Sequence, residues 1–185
     1  MDLTIKLNQK FKSGSNLNKK DNLPHITLAM GVIDDSQIPE VMEKLNEISK
    51  ILKPLDLEIS KIHSIVKPSG EKSFSFLIKK SEELKKLQQL IMKTLLPIFT
   101  YDVKPPMFNQ DQEIDSDSIY WVETFAKIHR NIENYTPHIS IKCKKEVVFE
   151  GLPLFFKGSQ LGLCHLGAHG TCRKILGKVN LEHIL

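Results

Sequence analysis

Three stretches of the chain repeat hydrophobic residues at helical spacing. The first covers residues 38–52 and stops before Pro54, the second begins after Ser81 and runs from 84 to 95, and the third covers 119–132. This period places the apolar side chains on one face of a helix, while serine is a typical start and proline a typical stop. The pattern therefore predicts three amphipathic helices.

Other stretches alternate apolar and polar residues, or are continuously apolar, as strands do. The predicted strands lie at residues 3–7, 23–33, 55–66, 73–78, 138–143, 160–166 and 171–179. The stretches 8–22 and 101–117 are polar or proline-containing and predict loops. Helices and strands do not alternate strictly and hairpins dominate, so we expect an α+β fold with antiparallel sheets in a single domain, residues 1–185.

Length and composition describe an ordinary globular protein. The chain has 185 residues, of which 41% are hydrophobic, so it can bury a sizeable core without disulfides or a metal. Three cysteines are too few, and odd in number, for a disulfide scaffold. No apolar run approaches the ~18 residues of a membrane span, and no signal peptide is visible. We therefore expect a soluble, cytoplasmic protein with no membrane partner and no obligate protein partner.

The charge narrows the possible partners only slightly. The net charge is +4, and of 26 basic residues only Arg130 and Arg173 are arginines. Arginine is the side chain suited to bidentate phosphate recognition, so a long arginine-rich nucleic-acid surface is excluded. The charge permits a nucleotide or RNA-end substrate without indicating one.

Two short segments of the chain share one pattern. Residues 23–28 read Leu-Pro-His-Ile-Thr-Leu, and residues 136–141 read Thr-Pro-His-Ile-Ser-Ile, 113 positions later. Side chains alternate between the two faces of a strand, so each histidine shares a face with the hydroxyl residue two positions on. His25 with Thr27, and His138 with Ser140, are the resulting pairs, and the aliphatic residues between them point into a core.

An imidazole beside a hydroxyl, present twice, suits phosphodiester chemistry without a metal. A neutral histidine can take a proton from an attacking hydroxyl or water, and a protonated one can give a proton to the leaving oxygen. Hydroxyls can donate hydrogen bonds to phosphate oxygens as charge builds. The competing interpretation is that His25 and His138 are ordinary half-buried strand residues. If they act together, both rings should face one groove.

The paired His-x-(Thr/Ser)-x motifs resemble the 2H phosphoesterase superfamily, also called the LigT-like or 2′-5′ RNA ligase family. The resemblance extends to the helix around residues 121–125 and to the closing segment Leu-Gly-Ala-His-Gly-Thr-Cys-Arg at 166–173. It implies two α+β lobes related by a pseudo-two-fold axis, each contributing an antiparallel sheet with one motif to a central groove.

The resemblance also implies a function. His25 and His138 would be the acid/base pair, and Thr27 and Ser140 would hold the phosphate of a 2′,3′-cyclic or 2′,5′-linked ribose phosphodiester in a nucleotide or RNA 3′ end. No metal and no cofactor would be needed. A 2′-5′ ligase running the reverse chemistry and a non-catalytic nucleotide- or RNA-binding protein are the alternatives. Which histidine is the acid stays open.

Other residues invite weaker hypotheses. His169 opens a third His-x-Thr match, but glycine stands between the two residues, so we interpret His169 as a turn residue that could line the groove rim. A zinc site would use Cys164, His165, His169 and Cys172, yet neighbouring strand residues point to opposite faces and cannot share a metal easily.

The loop before the third helix contains alternating acids, at positions 111, 113, 115 and 117. It lacks the glycine and the bidentate glutamate of a calcium loop, so we interpret it as solvated. Phe108, in the same loop, could stack on a base. Trp121, Phe125 and Tyr135 are expected in the core.

Overall fold

The computed structural model describes residues 22–66, 70, 72–109, 112–141 and 151–181. Three helices and six strands lie within these ranges. The helices are α1 (Ile38–Lys50), α2 (Glu82–Leu95) and α3 (Ser116–His129). The strands are β1 (Leu55–Val66), β2 (Lys72–Ile78), β3 (His138–Ile141), β4 (Leu154–Gly158), β5 (Gln160–Gly167) and β6 (Thr171–Asn180). The predicted strand at 3–7 and all but the last residue of the predicted loop at 8–22 lie outside the described residues.

The strands that the structure describes all pair antiparallel, and the fold class is α+β as predicted. One sheet has the order β3-β2-β1-β4, and β5 pairs with β6 in a separate hairpin. The apolar stripes of α1 and α2 pack against one face of the four-stranded sheet, in a core that includes Val41, Leu87, Phe76 and Ile139. Lobes related by a pseudo-two-fold axis stay a prediction.

The first motif does not lie in a regular strand, contrary to the prediction for 23–33. Leu23 forms an isolated bridge with Cys172, and Val32 forms one with Thr100. Leu23 and Cys172 pair antiparallel, so the chain after Leu23 runs in the direction opposite to β6. It therefore soon passes Thr171, the first residue of β6. Beyond that point a turn, Ala168–Gly170, replaces the strand, so the ladder cannot continue.

Two further element predictions need correction. Helix α3 begins earlier than predicted because Asp115 caps it, accepting a hydrogen bond from the backbone N–H of Ser118 at 2.9 Å. Strand β4 was not predicted at all. It is short and half-buried, and only its pairing with β1 identifies it as a strand.

Cys164 and Cys172 form a disulfide, which the cysteine count did not predict. The hairpin of β5 and β6 brings the two residues together across the turn, with their Cα atoms 5.6 Å apart. An odd total of cysteines argues against a scaffold of several bridges, but it cannot exclude one local bridge within a hairpin. No helix in the described part of the chain is long and apolar enough to cross a membrane.

Candidate active site

Strand β3 presents the second motif as its sequence predicts. Ile139 and Ile141 are buried in the core, whereas His138 is half-buried and Ser140 is exposed on the opposite face. Among the described strands, β3 pairs with β2 only and lies at the edge of the four-stranded sheet. His138 and Ser140 therefore lie together on the sheet face that the helices leave uncovered.

The first motif also separates its aliphatic residues from its histidine and threonine, although it lacks the hydrogen-bond ladder of a strand. Ile26 and Leu28 pack against the main core, as predicted for its aliphatic positions. His25 and Thr27 are half-buried. Because bridges hold the segment only near its two ends, packing of these aliphatic side chains helps to orient the residues between them.

The two histidines hold their rings in the same way. Nδ1 of His25 lies 2.8 Å from the carbonyl oxygen of Leu23, and Nδ1 of His138 lies 2.8 Å from that of Thr136. A carbonyl oxygen only accepts, so Nδ1 carries the proton and Nε2 is the basic nitrogen of each neutral ring. In both motifs a proline follows the accepting residue and restricts it to extended conformations, which aligns its carbonyl with the ring.

The two imidazoles also interact electrostatically. Burial lowers the pKa of His25, and a charge on His138 lowers this pKa further, while hydrogen bonding to the backbone of Leu23 and of Gly170 raises it. Two cations close to one another in a partly desolvated site cannot both form cheaply. The state in which both rings are protonated is therefore disfavoured.

A buried tyrosine links the two motifs. The hydroxyl of Tyr135, three residues before His138, donates a hydrogen bond to the backbone carbonyl of Thr27 at 2.9 Å. Tyr135 is only 2% exposed, and this burial raises the pKa of its hydroxyl. The prediction that Tyr135 lies in the core is confirmed, but its contact with the first motif could not be read from the pattern.

His129 is a third imidazole near the pair, and nothing in the sequence indicated that it would lie there. Its ring packs against Phe125 and Tyr135, with centroid separations of 4.5 and 5.9 Å. Burial lowers the pKa of His129, hydrogen bonding to the backbone of Asn134 raises it, and a charge on His138 lowers it. His138 thus lies within electrostatic range of both His25 and His129.

His169 is a turn residue, as predicted, and it is tied to the start of α3. Its Nδ1 lies 3.1 Å from the carboxylate of Asp115, and its backbone N–H donates to the hydroxyl of Ser118 at 2.7 Å. The residue adopts a left-handed conformation with φ 59°, which is strained for a side chain other than glycine. The next residue, Gly170, is the one whose backbone contacts the ring of His25.

Asp115, Ser118 and His169 do not form a nucleophilic triad. The Ser118 hydroxyl donates to Asp115 rather than to the imidazole, and Ser118 is only 1% exposed. A nucleophile needs its base within hydrogen-bond reach and access to substrate. The cluster instead anchors the turn Ala168–Gly170 against α3.

The metal hypotheses receive no support from the described residues. Cys164 and Cys172 are bonded to each other, and Asp115 caps α3. Among the residues that the structure describes, no group of three histidine, cysteine, aspartate or glutamate side chains could hold a metal ion. Asp111 lies outside them. Phe108 is 4% exposed and packs with Val103 and Val122, so the hypothesis that it stacks on a base is wrong.

A cavity of about 1020 Å³ lies on the core side of the first motif. Residues 24–35 form one wall, and aliphatic side chains of α2 and β1 form much of the rest. His138 and Ser140 do not line it. His25 and Thr27 line the cavity, but aliphatic core side chains form much of its wall and do not suit a phosphate, so we place the candidate site where the two histidine motifs meet.

The chain is similar in structure to the protein TT0787 of Thermus thermophilus, with a TM-score of 0.52 and 13% sequence identity. The match covers 87% of this chain and 81% of that one. At this identity the similarity shows a shared fold alone. No family model matches the chain, and the curated proteins contain no match.

Proposed function

We propose that the protein is a metal-independent phosphodiesterase of the 2H type, acting on a 2′,3′-cyclic or 2′,5′-linked ribose phosphodiester of a nucleotide or RNA end. The observation that carries the proposal is the matched state of His25 and His138. Both rings commit Nδ1 to a backbone carbonyl at 2.8 Å, so Nε2 is the nitrogen through which each ring would exchange a proton with substrate. At His25 the substrate would take the place of the backbone of Gly170, which also contacts the ring. Two lobes facing a shared groove, each with one motif, are part of the same proposal.

The lowered pKa of His25 suggests how the two roles divide. The neutral form of His25 is favoured near neutrality, so we assign it the base and His138 the acid. His25 removes a proton from water, the water oxygen bonds to phosphorus, and the bond from phosphorus to one ribose oxygen breaks. His138 gives its proton to that oxygen, which leaves a phosphomonoester and a free hydroxyl.

The hydroxyls of Thr27 and Ser140 would donate hydrogen bonds to the non-bridging oxygens. Each shares a motif with one of the histidines, and within the described residues neither hydroxyl bonds to another group. Donors aimed at oxygens that gain charge stabilise the transition state more than the ground state. Their loss should therefore lower kcat more than it raises KM.

A substrate panel tests the proposal. Nucleoside 2′,3′-cyclic phosphates and a 2′,5′-linked dinucleotide are incubated with the protein and EDTA, with a 3′,5′-linked dinucleotide as the comparison, and products are followed by chromatography and phosphorus NMR. We expect turnover with EDTA present and loss of turnover in His25→Gln and His138→Gln. The control is His165→Gln, because His165 contacts the carbonyl of Met107 instead.

The same panel distinguishes the alternatives. Joining of an RNA 2′,3′-cyclic phosphate to a 5′-hydroxyl RNA, with no hydrolysis, would favour the ligase. Saturable nucleotide binding without any turnover would favour the non-catalytic protein. Activity that is abolished by EDTA, or that survives His138→Gln, would exclude the proposed mechanism.

A further inference from the structure

The sheet face that carries His138 continues across the two neighbouring strands. The antiparallel register pairs His138 of β3 with Leu77 of β2, and Leu77 with Lys61 of β1. Directly paired residues on adjacent strands project from the same face of a sheet. Lys61 therefore lies on the face of His138, two strands away.

A second row begins at Ser140. Ser140 pairs with Ser75 of β2, and Ser75 pairs with His63 of β1. This row is polar in all three strands, which is unusual for a sheet face that only packs against other elements. His63 is half-buried and Lys61 is exposed.

The opposite face of these strands is the core. Phe74, Phe76, Ile139 and Ile141 alternate with the residues of the two rows, and all four are at most 6% exposed. A β-bulge between Ile59 and Lys61 is what turns Lys61 and His63 away from this core. Without it, the alternation that buries Leu57 and Ile59 would also direct Lys61 inward. Bulges commonly redirect side chains next to functional sites.

Two lysines near this sheet are paired with carboxylates, whereas Lys61 has no such partner among the described residues. Lys79 pairs with Glu58 at 3.1 Å, and Lys157 pairs with Asp56 at 2.8 Å. No carboxylate in the described part of the chain pairs with Lys61. Lys61 thus adds a positive charge to the face of His138 that its surroundings do not neutralise.

From this placement we infer that Lys61 and His63 bind the phosphate next to the scissile one, so that the substrate is an RNA end of at least two nucleotides. The inference rests on the proposed function. Two strand spacings separate these residues from the second motif, about 10 Å between Cα atoms. A phosphate one nucleotide away from the scissile phosphate can lie at that distance, over β1. An ammonium and an imidazole are both hydrogen-bond donors that can bind phosphate oxygens.

The test compares two substrates that end in the same cyclic phosphate but differ in length. The first is a nucleoside 2′,3′-cyclic phosphate, and the second is an RNA tetranucleotide that ends in the same cyclic phosphate. We expect Lys61→Met to lower kcat/KM for the tetranucleotide about tenfold and to leave the mononucleotide unchanged, because only the longer substrate reaches Lys61. The dependence of log KM on log salt should lose about 0.7 in slope for the tetranucleotide. His63→Gln should act in the same direction.

Lys93→Met is the matched control, since Lys93 is an exposed lysine of α2, the helix that packs on the core face of the same sheet. It removes one charge and should change neither substrate. Equal effects of Lys61→Met on both substrates, or none on either, would overturn the inference while leaving the proposed function intact.

If neither substrate is turned over, binding measurements test the subsite at Lys61 separately from the proposed activity. Affinity of the tetranucleotide is then measured by fluorescence anisotropy for the wild type, Lys61→Met and Lys93→Met. Weaker binding by Lys61→Met alone would support the subsite even though the proposed activity had failed. Identical affinities for the three proteins would overturn the subsite as well.

Discussion

The hydroxyl of Tyr135 donates a hydrogen bond to the backbone carbonyl of Thr27, 2.9 Å away, across 108 positions of the chain. The two residues belong to the segments that carry the second and the first histidine. Thr27 lies in a stretch without ladder hydrogen bonds, so this contact adds a fixed point between Leu23 and Val32. The relative placement of His25 and His138 therefore depends partly on a residue that has no chemical role.

Removing that hydroxyl should weaken both stability and turnover. In Tyr135→Phe the carbonyl of the half-buried Thr27 loses its donor, which should lower the free energy of unfolding by about 1 kcal/mol. We also expect kcat to fall several-fold with a smaller change in KM. Urea denaturation and steady-state kinetics measure the two effects.

Two other tyrosines provide controls for this substitution. The hydroxyl of Tyr101 is buried and bonds to no other described residue, so Tyr101→Phe should leave stability unchanged or raise it. Tyr120 is 40% exposed, and Tyr120→Phe should have no measurable effect. If all three variants behave alike, the hydrogen bond to Thr27 contributes nothing.

The histidine pair should act as a unit. Single substitutions His25→Gln and His138→Gln should each lower kcat by about 10²–10⁴-fold, the usual contribution of one general acid or base. The loss of kcat in the double variant should be far smaller than the product of the two single losses. The acid and the base act in one step, so removing either already removes most of the contribution of the other. Single-turnover rates at saturating substrate measure this, and strict additivity would argue that the two rings act independently.

Stability should depend on pH through two half-buried imidazoles. Burial lowers the pKa of His25 and of His129 from the ordinary value of 6.5, so the unfolded chain binds protons more readily than the folded protein. Their neutral forms contribute stability above pH 6.5, and this contribution is lost as the pH falls through the folded pKa. We expect Tm to decrease between pH 7.5 and 5.5. Calorimetry of His25→Gln and His129→Gln should show a smaller decrease, and slopes equal to the wild type would contradict this.

The start of α3 should influence the site through the turn that follows β5. Asp115→Ala removes the helix cap and the contact with His169, and Ser81→Ala removes only the cap of α2. Each should cost about 1 kcal/mol of stability. Only Asp115→Ala should also reduce turnover, because it loosens the turn whose Gly170 backbone contacts His25. Chemical denaturation and steady-state kinetics of the two variants make the comparison. Equal turnover in Asp115→Ala and Ser81→Ala would show that the turn does not influence the site.

Local pattern was sufficient for the elements whose own residues define them. The stripe of α1, the serine cap of α2 and the hairpin of β1 and β2 were all predicted, since helical and strand periodicity act over a few neighbouring residues. The residues on the two faces of β3 were predicted for the same reason. The paired motifs themselves, and the chemistry proposed for them, also come from the sequence.

Tertiary structure decided what depends on a partner distant in the chain. The first motif is not a strand because β6 begins too late to pair with it, and β4 is a strand only because β1 lies beside it. Simple alternation along β1 would direct Lys61 into the core, and a bulge set by the register with β2 reverses this. An extended segment does not encode its neighbour, so strand pairing, bulges and the link from Tyr135 to Thr27 arise only when the chain packs.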